Sequence, residues 1–197
     1  MYIQNRSNSL IIVVHEIYGI NQHMNYICRT LSEKGFDVIC PSLYELETSF
    51  EYIQEEVAYK HFMENVGFTN ASKKIKCVLS DMKDRYEKVY IVGFSVGATI
   101  AWLCSDENGV DGIVGFYGSR IRSYIEIEPL CPSLLFFPEI EKSFNVNELI
   151  QRLEEKNIKV HKFNGHHGFS DPFSHKYHEK SAQKAFNKMF DFFRKIE

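Results

Sequence analysis

Gly93-Phe94-Ser95-Val96-Gly97 closes the apolar run Val89-Tyr90-Ile91-Val92 and leads into Ala98-Thr99-Ile100-Ala101-Trp102-Leu103, which reads as helix. A strand, a sharp turn with serine at its apex and a helix would lift the serine oxygen above a sheet edge and point it into a cleft. Gly93 and Gly97 flank the serine because side chains there would collide where strand and helix nearly touch. A serine hydroxyl is a weak nucleophile by itself. It needs a base, a group that orients the base, and donors for the developing oxyanion. By itself the pattern also fits a glycine-lined turn in some other α/β protein, so the partners decide.

The elements that must position such partners alternate along the chain. Leu10 to Val14 is a continuous apolar run, as expected of a strand buried on both faces. Met24 to Lys34 has helical spacing through Ile27, Cys28 and Leu31, and Gly35 stops it. Phe36 to Cys40 is a strand closed by Pro41. Residues 43–66 read as a helix with flanking loops, and Ala71 to Arg85 as an amphipathic helix. Strands are expected over Val110–Gly118, Ser133–Phe137 and Ile158–Phe163, and helices over Val146–Lys156 and Ser174–Ile196. Alternation of this kind predicts a single-domain α/β fold over 1–197, with a central, mainly parallel sheet and helices on both faces. Residues 43–66 or 119–130 are candidate lids, although ordinary connecting structure explains them better.

Sites in open parallel sheets lie at the carboxyl ends of the strands. His15-Glu16-Ile17-Tyr18-Gly19 follows the first apolar strand, and Ser95 follows the elbow strand. Pro138-Glu139-Ile140-Glu141 follows Phe137, and Asn164-Gly165-His166-His167-Gly168-Phe169 follows the last strand. The order serine, acid, histidine is that of the α/β-hydrolases.

On these blocks the chain resembles the dienelactone hydrolase family. Cys40-Pro41-Ser42-Leu43-Tyr44, Gly115-Phe116-Tyr117-Gly118 and the aromatic-rich C-terminal stretch add to the likeness, which covers nearly the whole sequence. The resemblance implies Ser95 as nucleophile and His167, directly before Gly-Phe, as general base, with His166 its competitor. It further implies the backbone N–H groups of Ile17 and Val96 as oxyanion donors.

Four departures from the family pattern bear on chemistry. Serine stands where the best-known members carry cysteine, which suits ordinary ester hydrolysis. The acid segment lacks the expected aspartate and puts Glu141 in its place, with Glu139 as runner-up. Glu16, linked in the cysteine members to the resting nucleophile, is left to hold its loop or to bind substrate. Asp171 replaces an arginine that meets a substrate carboxylate, and 43–66 offers only Lys60 as a cation, so an acidic dienelactone is not the expected substrate. Tyr18, Tyr117 and Phe169 are expected to line an apolar acyl pocket.

Other signals are weaker. His175 and His178 lie three apart on an expected helix without a third ligand at matching spacing, so packing or solvent explains them better than a metal. No dinucleotide fingerprint occurs. The net charge of −3 gives no reason to expect nucleic acid or an anionic membrane as partner. The five cysteines are scattered and odd in number, as in reduced cytoplasmic proteins. The sequence therefore predicts a cytoplasmic serine hydrolase, monomer or homodimer, that cleaves a small carboxylic ester or thioester with no metal or cofactor. The alternatives are a peptidase or amidase of the same fold, and a binding protein whose triad has decayed.

Overall fold

The computed structural model describes residues 1–44 and 49–196. Seven strands form one sheet in the order β1-β3-β2-β4-β5-β6-β7. They are β1 (Tyr2–Ile3), β2 (Ser9–Val14), β3 (Asp37–Ile39), β4 (Lys88–Phe94), β5 (Gly112–Phe116), β6 (Ser133–Ile140) and β7 (Lys159–His166). All neighbours pair in parallel except β1, which runs antiparallel to β3 through Tyr2 opposite Ile39 and Ile3 opposite Val38. The mainly parallel α/β architecture expected from the alternation is the one observed.

The helices are α1 (Gln22–Ser32), α2 (Glu55–Asn65), α3 (Gly67–Met82), α4 (Val96–Leu103), α5 (Val146–Glu154) and α6 (Glu179–Ile196). They cover both faces, and the strands feed two cores by simple alternation. Leu10, Ile12 and Val14 of β2 join Phe62, Ile75, Ile100, Trp102 and Leu149 on one face. Ile11 and Val13 join Met24, Leu31, Met189 and Phe193 on the other. Side chains of a strand point alternately to its two faces, so a strand buried on both sides must be apolar throughout, as β2 is.

Several expected boundaries shift. The polar N-terminus contributes an edge strand, tied down because the Asn5 and Ser7 amides donate to Asp37 Oδ1 at 2.6 and 3.1 Å. Strand β6 continues past Phe137 through Pro138 to Ile140, with a register irregularity against β7 between Pro138 and Ile140. Helix α6 begins only at Glu179, so His175 and His178 lie in the turn-rich segment before it. Part of the expected 43–66 segment, 45–48, lies outside the described residues. Among the described residues no helix is long and apolar enough to cross a membrane, and the five cysteines are unpaired.

Candidate active site

Strand β4 ends at Phe94, and Ser95 makes the turn with φ 54° and ψ −113°. A serine at positive φ costs about 1–3 kcal/mol of backbone strain and persists only where the surroundings enforce it. Here they do. The Ser95 N–H donates to the Phe116 carbonyl at 2.9 Å, and the Ser95 carbonyl accepts from Ala98 and Thr99 at 3.1 and 3.3 Å. A Cβ at Gly93 would lie 2.6 Å from the Ala98 nitrogen, and one at Gly97 would lie 2.7 Å from the His15 carbonyl oxygen. Both contacts are closer than real Cβ atoms approach backbone, so the two glycines allow the helix to start against the strand tips.

His167 directly follows β7, and Glu141 directly follows β6. Ser95 Oγ and His167 Nε2 are 2.8 Å apart, and His167 Nδ1 is 2.8 Å from Glu141 Oε2. A carboxylate only accepts hydrogen bonds, so Nδ1 carries the proton and Nε2 is free to accept from the serine hydroxyl. The Glu141 side chain is 9% exposed and that of His167 29%. Glu139 is exposed, and the carboxylate bonded to His167 is that of Glu141. His166 lines the cavity but makes no bond to Ser95.

Val96 opens α4, so its N–H has no acceptor within the helix. Ile17 sits in the turn after β2, its carbonyl accepting from the Tyr44 hydroxyl. Val96 and Ile17 both line the cavity beside Ser95. The turn is fixed by His15, fully buried, whose Nδ1 lies 2.6 Å from the Glu16 carbonyl while Nε2 accepts from the Leu43 amide at 2.9 Å. Those two bonds require the neutral ring, and burial lowers its pKa from 6.5 to about 4.

Glu16 is 5% exposed and Asp171 1%. Tyr117 Oη donates to Glu16 Oε1 at 2.9 Å, and Tyr52 Oη donates to Asp171 Oδ2 at 2.5 Å. Between the two carboxylates lies His23, fully buried, with Nδ1 3.8 Å from Glu16 and 3.7 Å from Asp171. Burial alone would raise the Glu16 carboxyl, but His23, His167 and Tyr117 outweigh it and hold the group low. Burial raises Asp171, and the charge on Glu16 adds to the rise. The two acids are thus pushed apart, one held charged and one biased toward its proton. Among the described residues Glu16, His23 and Asp171 are the one set of three whose donor atoms approach within 4.8 Å, the spacing a shared metal ion needs. Sequence reasoning missed His23, because nothing local marks a helix-face histidine as facing two distant acids.

Glu16, Ser95, Glu141, His167 and Asp171 border a cavity of about 880 Å³, lined also by Tyr18, Tyr52, Tyr59, Arg120 and Arg122. Tyr18 lines it as expected. Tyr117 does not: it is fully buried, its hydroxyl bound to Glu16 and, at 3.0 Å, to Ser170 Oγ. Its ring packs 5.0 Å from that of His167, so it supports the site from beneath instead of lining a pocket. Phe169 is likewise fully buried. The reason is shared: both rings fill the core at the strand tips, where apolar area is worth more inside than at a wet rim. Arg120 and Arg122 were not singled out from the sequence. Their one signal is position, in the segment that follows β5.

Comparison with known proteins agrees with this fold. The model of the dienelactone hydrolase family matches residues 2–197. The Bacillus subtilis (strain 168) protein YczH, named as uncharacterized, is 40% identical over 166 residues, which are 83% of this chain and 81% of the relative. The carboxymethylenebutenolidase of Pseudomonas putida is 26% identical over 129 residues, 61% of this chain and 54% of its own length. A dienelactone hydrolase-like promiscuous phosphotriesterase from metagenomic libraries has the same fold, with a TM-score of 0.74 at 15% identity over 96% of this chain and 87% of that one. With the family pattern matched almost end to end on an α/β-hydrolase fold, the chain belongs to the dienelactone hydrolase family.

Proposed function

We propose that the protein is a serine hydrolase that cleaves a small carboxylic ester or thioester through an acyl-enzyme on Ser95. The observation that carries this is the continuous chain Ser95 Oγ, His167, Glu141, with both links at 2.8 Å. Ser95 Oγ attacks the carbonyl carbon while His167 Nε2 takes the hydroxyl proton. The tetrahedral intermediate collapses, the bond to the leaving oxygen or sulfur breaks, and the same proton passes from Nε2 to the leaving group. Water then attacks the acyl-enzyme, gives a proton to Nε2, and the proton returns to Ser95 as the acid departs. Glu141 fixes the imidazole tautomer and stabilises the imidazolium that forms at each step. The amides of Ile17 and Val96 receive the oxyanion, a contribution of about two to three orders of magnitude per donor. Glu16 and Tyr18 contact the substrate. The scattered, odd-numbered cysteines support a cytoplasmic location for the reaction.

A fluorophosphonate probe tests this reading, with mass spectrometry of the labelled peptide in wild type, Ser95→Ala and His167→Ala. Labelling of Ser95 alone, lost in both variants, is expected. A folded wild type that does not label would instead favour a binding protein on the same fold. Paired ester and amide substrates with one acyl group separate an esterase from an amidase.

A further inference from the structure

We propose that the esters taken by this site carry an anionic group, a carboxylate or a phosphate, and that Arg120 and Arg122 bind it. The inference rests on the reading of Ser95 as nucleophile and names the substrate class of that same site.

Sheet order sets the layout. Strand β4 lies between β2 and β5, so the segments following those two strands stand on opposite sides of Ser95. After β2 come Glu16 and Tyr18. After β5 comes a short 3₁₀ helix, Ser119–Ser123, held down by the fully buried Ile121 between the two arginines. Both arginines line the cavity.

Their partners are neutral. Arg120 Nη2 donates to Tyr59 Oη at 2.5 Å, and Arg122 Nη1 donates to the Ser119 carbonyl. The Arg122 guanidinium stacks 4.9 Å from the Phe144 ring centre, which fixes its plane. Among the described residues neither forms a salt bridge. Glu141, whose charge is felt by Arg122, is bound to His167. Lys176, on the same cavity, is by contrast satisfied by Glu55 at 3.2 Å. Burial and the like charge of Arg120 lower the Arg122 guanidinium, and Glu141 opposes the shift without reversing it. A guanidinium has five N–H donors in a planar fork suited to carboxylate or phosphate, and among the described residues each donates one hydrogen bond.

The opposite side carries carboxyls instead of guanidinium groups. Glu16 and Asp171 are buried there, and both line the cavity. The arginines thus offer an anion a cationic anchor on the β5 side of the nucleophile, facing the carboxyls of Glu16 and Asp171 across the cavity.

Two substrate pairs test this. In one the charge sits on the acyl part, p-nitrophenyl hydrogen glutarate against p-nitrophenyl valerate. In the other it sits on the alcohol, 4-acetoxybenzoate against 4-methylphenyl acetate. Wild type should favour the charged member of at least one pair. Arg120→Gln/Arg122→Gln should lower that charged-to-neutral ratio of kcat/KM by about tenfold to a hundredfold, mainly through KM. Either single variant should give part of the loss, and Arg→Lys should recover part of it. Preference for the neutral member in both pairs overturns the proposal, and so does an unchanged ratio in the variants. NMR titration with glutarate and with inorganic phosphate keeps the two readings distinct. An inactive wild type that binds either anion only when the arginines are present keeps the anion site and removes the role of Ser95. An inactive wild type that binds neither removes both. The tighter of the two anions identifies the group.

Discussion

The two sides of the nucleophile are built on different principles. On the β2 side the buried ionisable groups are partnered from within, apart from His23, whose two ring nitrogens form no hydrogen bond among the described residues. His15 is bonded at both ring nitrogens, Glu16 accepts from Tyr117 and Asp171 accepts from Tyr52. On the side of β5 and β6 the charges face the cavity, with Glu141 committed to His167 and the arginines held by neutral oxygens and ring faces. Groups satisfied inside the protein hold its shape, whereas half-exposed charges without an internal counter-ion are available to a substrate. Substitutions on the β2 side should therefore cost stability first, and those on the other side activity first.

The largest expected effect falls on the β6 side. Glu141→Gln should lower kcat by about two to four orders of magnitude, since the imidazole loses its orienting acid. Its melting temperature should stay within a few degrees of wild type. Glu139→Gln serves as the control, and steady-state kinetics of the pair decide which glutamate is the acid; equal losses would remove Glu141 from that role. On the β2 side, Gly97→Val forces side-chain atoms onto the Val14 and His15 carbonyls. It should cost at least about 3 kcal/mol in urea unfolding, the scale of a severe core clash.

Acid should expose the same closed side. His15 binds its proton near 6.5 when unfolded and only near 4 when folded. Between those values the unfolded chain holds the extra proton, so this contribution is complete above pH 6.5 and is lost as pH falls toward 4. The loss is on the order of 3 kcal/mol for a shift of this size. Urea titrations across that window should show a steeper fall for wild type than for His15→Asn, and parallel slopes would assign the acid sensitivity to another group. Tyr117→Phe, although at the tip of β5, acts on the closed side through its hydroxyl and should cost about 1–3 kcal/mol, because the buried Glu16 loses a donor. Arg122→Gln should change stability by no more than about 0.5 kcal/mol, as surface substitutions usually do; a larger loss would make the two sides alike.

Much of this architecture is legible in the chain because it is written locally. A run such as Leu10–Val14 can only be a strand buried on both faces, and the elbow compresses strand, turn and helix into ten residues. The boundaries that moved did so for non-local reasons. Tyr2 and Ile3 become a strand only because β3 offers an edge, and β6 passes through Pro138 because its pairing with β7 tolerates an irregularity there. That irregularity also separates Glu139 from Glu141, which a regular strand would put on one face.

The sequence by itself determined the fold class, the family pattern, and a serine, an acid segment and a histidine at successive strand ends, since each depends on spacing within a few residues. Only the tertiary structure decided which glutamate meets His167, that Tyr117 turns inward, that His23 sits between two acids, and that Arg120 and Arg122 share the cavity with Ser95. Those outcomes join residues from 7 to 148 positions apart, as with His23, Glu16 and Asp171. Contact at such separation is set by how strands order and helices pack, which no local pattern encodes.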